Sequence, residues 1–180
     1  MRKERIQLIL LCEDKQQKSF VYRFLKEKGI NTNILRVNAS PKGKGSGEKY
    51  VKDQFTKELN YYRSRITSAK LIVMIDGDLY GVKTRINQLE LECKRRGVEF
   101  RKKNEAVMIA VPTWNIETWI HFLNGNDIDE NKKDYPKLIK KEKRCQPAVD
   151  RLVEKCNNKE SFVGCPSLTD ACEEYNKIFK

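Results

Sequence analysis

At 180 residues the chain has room for one domain with a real hydrophobic core and a small C-terminal appendage. Its hydrophobic share of 39% and charged share of 34% leave a lean interior under a densely charged surface. The balance of 37 Lys+Arg against 25 Asp+Glu, a net charge of +12, suits a polyanion partner such as nucleic acid, or less often an anionic membrane surface.

The first apolar run, Ile6 to Cys12, contains Gln7, is too short to span a bilayer and is followed by no small-residue cleavage site. A cytoplasmic protein with no membrane association is expected. Its six cysteines, Cys12, Cys93, Cys145, Cys156, Cys165 and Cys172, should then be reduced. Four of them fall in the last quarter without a Cys-x-x-Cys pair, so buried apolar cysteines are favoured there over a zinc site.

Ile6 to Cys12 reads as a strand buried on both faces, ending in Glu13-Asp14. A helix follows over Lys15 to Lys28, with Phe20, Val21, Phe24 and Leu25 on one face. Asp14 caps it, Gln17 completes a capping-box pattern, and Gly29 stops it. Asp14 thus has a structural task, and Glu13 is left at the strand tip with its carboxylate free.

Asn33 to Asn38 is a second, shorter strand. Pro41-Lys42-Gly43-Lys44-Gly45-Ser46-Gly47 follows, rich in glycine but unlike a P-loop. It reads equally as a basic loop touching a phosphate backbone and as a solvated linker. Tyr50 to Ile66 carries Val51, Phe55, Leu59, Tyr62 and Ile66 at helical spacing, a core stripe.

Leu71-Ile72-Val73-Met74-Ile75 is the strongest strand, and it runs directly into Asp76-Gly77-Asp78. A strand buried on both faces has no structural need for two anions at its tip, and in open α/β sheets that tip is where ligands bind. Gly77 removes a side chain between the acids, so a phosphate or metal could come close. An ordinary Asp-Gly turn is the competing reading. Val82, Ile86, Leu89 and Cys93 mark the next helix, with Lys94-Arg95-Arg96 complementing its C-terminal dipole.

Ala106 to Val111 is a fourth strand, ended by Pro112. Asn115 caps a helix with Ile116, Trp119, Ile120 and Leu123 on its apolar face. Glu117, in its first turn, lies at the same sheet edge as the other acids. His121 shares the neighbouring face, where a packed or exposed bystander is favoured over a ligand. From Asp127 to Lys159 the chain is polar and basic, with short helices over Pro147 to Cys156 and Leu168 to Phe179. A contact surface for nucleic acid is favoured slightly over a solvated extension. The organisation expected is a core over residues 1–125 and a basic, mainly helical extension over 126–180 packed on it.

The alternation of strands and helices argues for an α/β fold with a mostly parallel sheet and helices on both faces. If the second and third strands flank the first, the tips of strands one and three form the switch-point crevice. Glu13, Asp76 and Asp78 would meet there, with Glu117 entering from the next unit. Carboxylates so gathered repel one another unless protonated or bound to cations, and hard oxygen donors suit Mg²⁺ or Mn²⁺. In a basic protein the natural substrate is a phosphodiester of DNA or RNA. Lys42 and Lys44 in the glycine-rich loop, Lys83 and Arg85 after Asp78, and Lys140, Lys141, Lys143 and Arg144 in the basic segment are the candidate nucleic-acid contacts. For Lys83 and Arg85, surface solvation is the rival explanation.

Glu13 in Leu-Cys-Glu-Asp, together with Ile75-Asp76-Gly77-Asp78, resembles the Toprim fold, a Rossmann-like domain shared by topoisomerases, bacterial primases and several nucleases. Pro112 to Phe122, with Glu117, Trp119 and His121-Phe122, looks like a signature of RloB-like and overcoming-lysogenization-defect-type Toprim proteins linked to bacterial defence. The resemblance covers roughly residues 5–125. It implies a metal-dependent nuclease with Glu13, Asp76 and Asp78 as metal ligands and Glu117 assisting, an anti-phage role, and a partner such as a separately encoded ATPase. Asp14 stands where many Toprim domains have glycine, and no topoisomerase-type tyrosine domain is present. Two other functions fit the same residues: a non-catalytic nucleic-acid-binding or partner-regulated module, and a nucleotide phosphoryl-transfer enzyme using the same acids.

Overall fold

The computed structural model describes residues 7–43, 45–65, 69–138, 145–158 and 160–179. Its strands are β1 (Leu8–Cys12), β2 (Leu35–Ala39), β3 (Lys70–Met74) and β4 (Val107–Ala110). Its helices are α1 (Lys15–Glu27), α2 (Gly47–Arg63), α3 (Gly81–Arg95), α4 (Ile116–Leu123), α5 (Gln146–Asn157) and α6 (Pro166–Ile178). The four strands form one sheet in the order β2-β1-β3-β4. Every pairing is parallel, with Leu10 opposite Val37 on one side and Ile72 on the other, and Ile72 opposite Met108. The chain reverses direction across the sheet after β2, so the tips of β1 and β3 lie side by side with no strand between them. This is the topology the apolar runs predict.

Alternation along each strand sorts the core into two layers. Leu8, Leu10, Cys12, Ile72, Met74, Met108 and Ala110 face α1, α4, α5 and α6. Ile9, Leu11, Leu71, Val73, Ile75, Val107, Ile109 and Val111 face α2 and α3. Both faces are covered, which is why these strands read as continuous apolar runs rather than as alternating ones. Burying each Leu or Ile so completely contributes about 1.5–3 kcal/mol. The segment after residue 125 is not a satellite. Leu152, Leu168, Ala171 and Tyr175 share one apolar cluster with Phe20, Phe24 and Trp119, so α5 and α6 complete the cover of the first face.

Some local expectations change. The second strand starts later, at Leu35, because Thr32–Ile34 forms a 3₁₀ turn capped by Asn31. The second helix starts earlier, at Gly47, because the Ser46 side chain caps it by accepting from Lys49 N. The cysteines are not all free. Cys156 and Cys172 form a disulfide joining α5 to α6, while Cys12, Cys93, Cys145 and Cys165 are buried thiols. The reduced state expected for all six is corrected at that pair, where packing sets the two helices with Cα atoms 6.0 Å apart, within reach of a bridge. Among the described residues, no helix is long and apolar enough to cross a membrane.

Candidate active site at the β1 and β3 tips

Parallel pairing of β1 with β3 carries Glu13 and Asp76 to the same edge of the sheet. There the two acids touch. Glu13 Oε1 accepts the backbone N–H of Asp76 at 2.6 Å. Gln17 lies between the strands and is fully buried. Its Nε2 donates to Asp76 Oδ1 at 2.7 Å, and its Oε1 accepts from the Glu13 backbone N–H at 2.8 Å. Asp14 caps α1 as expected, accepting from Gln17 N at 2.8 Å. The return bond of the capping box therefore runs to Glu13 rather than to the cap residue. The carboxylate of Glu13, expected to be free, is engaged.

Burial pushes the Glu13 carboxyl up to about 7, with the charges of Asp78 and Asp14 adding to it and the Asp76 N–H and Arg85 opposing. Asp76 is held well above the usual carboxylate range, first by burial and then by the Glu13 charge, against the hydrogen bond from Gln17. Two acids that would rather not both be ionised are thus held as neighbours, linked through the Asp76 backbone N–H and the Gln17 amide.

Past the strand ends, β3 and β4 continue as neighbours. Gly77 N donates to Pro112 O at 2.8 Å and Asp78 N to Trp114 O at 2.9 Å. Asp78 and Trp114 both adopt left-handed backbone, with φ of 45° and 64°. For residues other than glycine this costs roughly 1–2 kcal/mol each, and such strain concentrates at functional sites. The role expected of Gly77 changes. A Cβ there would come within 2.9 Å of Pro112 O, so the missing side chain admits the neighbouring backbone and not a ligand.

Arg85 is also corrected. It is not a surface residue available to a phosphate but is fully buried. Its Nε donates to Asp76 O at 2.8 Å, one terminal nitrogen bonds Asp78 Oδ2 at 2.8 Å, and the other reaches Gln88 at 2.7 Å and pairs with Glu48. It ties the Asp76-Gly77-Asp78 turn to the first turn of α2. Gly47, in that same turn, packs directly on Glu13. Lys83 is exposed on α3.

Glu117 lies in the first turn of α4, whose cap Asn115 accepts from Glu117 N at 2.9 Å. It is buried. The Tyr135 hydroxyl lies within 2.7 Å of Thr118 Oγ1 and 3.2 Å of Asn115 Oδ1. Burial, together with the charges of Glu117 and Asp76, pushes that phenol up to about 12. Tyr135 thus feels the charges of both Glu117 and Asp76. His121 is a packing residue: Nε2 meets Pro136 O at 2.8 Å, Nδ1 meets Asn126 Nδ2 at 3.2 Å, and its ring lies against Tyr135.

Beside Glu13 an open cleft is walled by Lys15, Lys18, Ser40, Lys42 and Gly47. Lys42 lines the same cleft as Glu13. Lys44, Lys140, Lys141, Lys143 and Arg144 lie outside the described residues. In the described part of the basic segment, Lys132 pairs with Asp129, Lys155 with Glu160, and Arg151 donates to Leu123 O at the end of α4. Some of that charge is used within the chain.

Gln17 is a site residue that the sequence shows only as a helix cap partner, and Arg85, expected as a phosphate contact, is instead an internal anchor; a signal existed for both. Both occupy core positions of an otherwise apolar helix stripe: Gln17 with Phe20, Val21 and Phe24, Arg85 with Val82 and Leu89. A long polar side chain on such a stripe must find polar partners inside. Tyr135 had no comparable signal, since it lies in an aperiodic segment. Among the described residues, no group of three or more His, Cys, Asp or Glu side chains is arranged to hold a metal ion. The meeting pair is Glu13 and Asp76, with Asp78 turned to Arg85. Compared with protein families, curated proteins and solved structures, the chain matches none.

Proposed function

We propose that the protein is a Toprim-like, Mg²⁺- or Mn²⁺-dependent nuclease that cleaves phosphodiester bonds in DNA or RNA. The observation that carries this reading is the Glu13–Asp76 contact: two carboxylates, both with raised proton affinity, fixed at the switch point of a parallel sheet in a protein of net charge +12. A divalent cation satisfies such a pair better than a proton does near neutral pH. Mg²⁺ needs only one or two carboxylates when water and substrate phosphates complete its shell, so a pair fits as well as a larger cluster. Glu13 and Asp76 would hold the ion, with Asp78 alongside. The ion would supply positive charge to the phosphoryl oxygens and the leaving oxygen.

The chain's own residues do the rest. Gln17 would orient the Asp76 carboxylate and anchor the backbone of Glu13. Arg85 fixes the turn that presents them. Lys42 in the cleft and Lys83 on α3 face the phosphate charge. Glu117 and Tyr135 bound the site on the β4 side. An effector role in phage defence, with a separately encoded ATPase as partner, rests on the resemblance of the three motifs alone.

One observation favours a non-catalytic nucleic-acid-binding module: Arg85 already neutralises Asp78 within the chain. Purified protein incubated with Mg²⁺ or Mn²⁺ and with DNA and RNA, single-stranded and duplex, separates the readings. The nuclease reading expects cleavage that chelator abolishes and that Asp76→Asn and Glu13→Gln remove. Cleavage that survives Asp76→Asn places the chemistry elsewhere. Binding without cleavage, unchanged by Glu13→Gln, identifies the module. Phosphate release from free nucleotides, with polynucleotides left intact, identifies the phosphoryl-transfer enzyme.

A further inference from the structure

Immediately after Asp78 come two side chains whose placement the fold does not require. Leu79 is 80% exposed and Tyr80 55% exposed. The other large hydrophobics exposed among the described residues, Tyr22, Leu91 and Val163, are isolated from one another in sequence. Leaving a leucine and a tyrosine in water forgoes burial worth about 1.5–3 kcal/mol for the leucine alone. A turn joining a strand to a helix is readily made from polar residues, so this turn carries something more than turn chemistry.

The tyrosine is not loose. Its backbone N–H bonds Gly77 O at 3.0 Å, fixing the turn. Its ring lies over the buried Arg85 guanidinium, 5.1 Å from the carbon of that group to the ring centroid. Arg85 in turn holds Asp76 O and Asp78. The ring is thereby referenced to the acids through one rigid side chain, and more than half of its surface stays open to solvent. Lys83 stands three residues on, exposed in the first turn of α3.

We propose that Tyr80, with Leu79 before it and Lys83 three residues on, is the stacking platform for an unpaired nucleobase of a single-stranded nucleic acid, next to the phosphate that a divalent cation at Glu13 and Asp76 would engage. The inference rests on the nucleic-acid reading of that site and names the substrate class: single strands, or duplexes with a base turned out. Size selects the occupant. A stable protein partner needs roughly 800 Å² on each side, far more than two side chains supply, whereas one base matches one aromatic ring. Charge selects it as well, since exposed Lys83 three residues on and Lys42 in the cleft beside Glu13 suit a phosphodiester. A paired base cannot use the platform, because its faces are already stacked within the helix.

The test is fluorescence anisotropy with short labelled single-stranded and duplex oligonucleotides of one sequence, in chelator, so that binding is read without cleavage. Tyr80→Ala is expected to weaken single-strand binding by about tenfold, the usual loss for one stacked base. Tyr80→Phe should retain wild-type affinity, and duplex binding should be the same in all three proteins. The exposed ring can be removed without unfolding the chain, which an unchanged melting temperature verifies. Lys83→Ala should weaken both ligands and reduce the salt dependence by about one counterion. Wild-type affinity in Tyr80→Ala, equal weakening for single strand and duplex, or no binding by the wild type each overturns the proposal. The nuclease reading fails separately: Tyr80-dependent binding with no metal-dependent cleavage sinks that reading and leaves this one standing. Asp76-dependent cleavage with KM unmoved by Tyr80→Ala does the reverse.

Discussion

Gln17 Nε2 reaches across the sheet edge to Asp76 Oδ1 at 2.7 Å, so a helix residue of the first βα unit holds a carboxylate of the third strand. Its Oε1 simultaneously takes the Glu13 N–H. One amide therefore sets the spacing of the two acids. Replacement by leucine keeps most of the volume but leaves a backbone N–H and a carboxylate oxygen inside without partners. Each such loss costs about 1–3 kcal/mol. Gln17→Leu should lower the unfolding free energy measured in urea by at least an amount in that range and reduce any metal-dependent activity. Gln17→Glu should destabilise further at neutral pH by adding a third anion. Wild-type stability in both variants would show that the amide bridge does not hold the acids.

The raised proton affinities of Glu13 and Asp76 predict how stability varies with pH in the absence of metal. The ordinary glutamate value is 4.5 and Glu13 is pushed up to about 7; Asp76 moves in the same direction. Within that window the folded chain holds protons that the unfolded chain has released. The contribution is complete below the unfolded value and is lost as pH rises through the folded one. These groups therefore make the protein less stable at about pH 8 than at about pH 5. Asp76→Asn should flatten the slope and recover stability at the alkaline end. Mg²⁺ or Mn²⁺ should raise the melting temperature more at high pH than at low pH, because metal and proton compete for the same oxygens. A rising slope over this interval that is insensitive to Asp76→Asn would mean the two acids are not the coupled pair.

Most of the scaffold was legible in the sequence for a simple reason. A strand buried on both faces must be continuously apolar, and Leu8 to Cys12, Leu71 to Ile75 and Ala106 to Val111 could hardly be anything else. Right-handed crossovers then put β1 beside β3, and with them Glu13 beside Asp76. The charge state of the site was not legible. Whether Arg85 points outward with Lys83 or inward to Asp78 depends on helix rotation within about one residue, and the stripe Val82, Ile86, Leu89 leaves that open. Gly77 was read as room for a ligand because its real neighbour, the Pro112 carbonyl, comes from a strand thirty-odd residues away. Proximity across the sheet carries no local signature.

Gly47 gives a prediction whose sign discriminates. Alanine ordinarily favours a helix over glycine by about 0.8–1.0 kcal/mol. At this position a Cβ would lie 2.8 Å from Glu13 Cβ and 3.2 Å from Glu13 O. The helix cannot retreat without breaking the Arg85–Glu48 pair that anchors its first turn. Steric cost should win, and Gly47→Ala should destabilise by about 1–3 kcal/mol, the usual range for overpacking. Denaturant unfolding reads the result, and a stabilised variant would mean that α2 does not pack on Glu13 as described.

The disulfide between Cys156 and Cys172 closes a loop of sequence separation 16. A bridge over a loop of that size contributes about 3 kcal/mol. Reductant should lower the unfolding free energy of the wild type by that order and leave Cys172→Ser unaffected. Alkylation of unfolded but unreduced protein should label Cys12, Cys93, Cys145 and Cys165 and spare the other two. Six labelled cysteines would contradict the bridge.

Arg85 and Lys83 lie two residues apart on α3, and the structure assigns them opposite phenotypes. The guanidinium of Arg85 is fully buried and bonds Asp76 O, Asp78, Gln88 and Glu48 at once. Removing it breaks charge-assisted bonds to several groups at once, tempered because the Asp78 and Glu48 side chains left behind are 47% and 23% exposed; the loss should be about 1.5–3 kcal/mol. Arg85→Met should therefore unfold at distinctly lower denaturant, and Arg85→Lys should recover only part of the loss, since a point charge cannot span four acceptors. Part of the cost is removed if the carboxylates are neutralised too: Asp78→Asn in the Arg85→Met background should be less harmful than additivity predicts. Lys83→Ala should leave stability within about 0.5 kcal/mol of wild type, as expected for a surface site, while weakening nucleic-acid binding. Equal stability of Arg85→Met and Lys83→Ala would remove the internal anchor. The turn carrying Asp76 and Asp78 would then have to be held by the Gly77–Pro112 and Asp78–Trp114 backbone bonds alone.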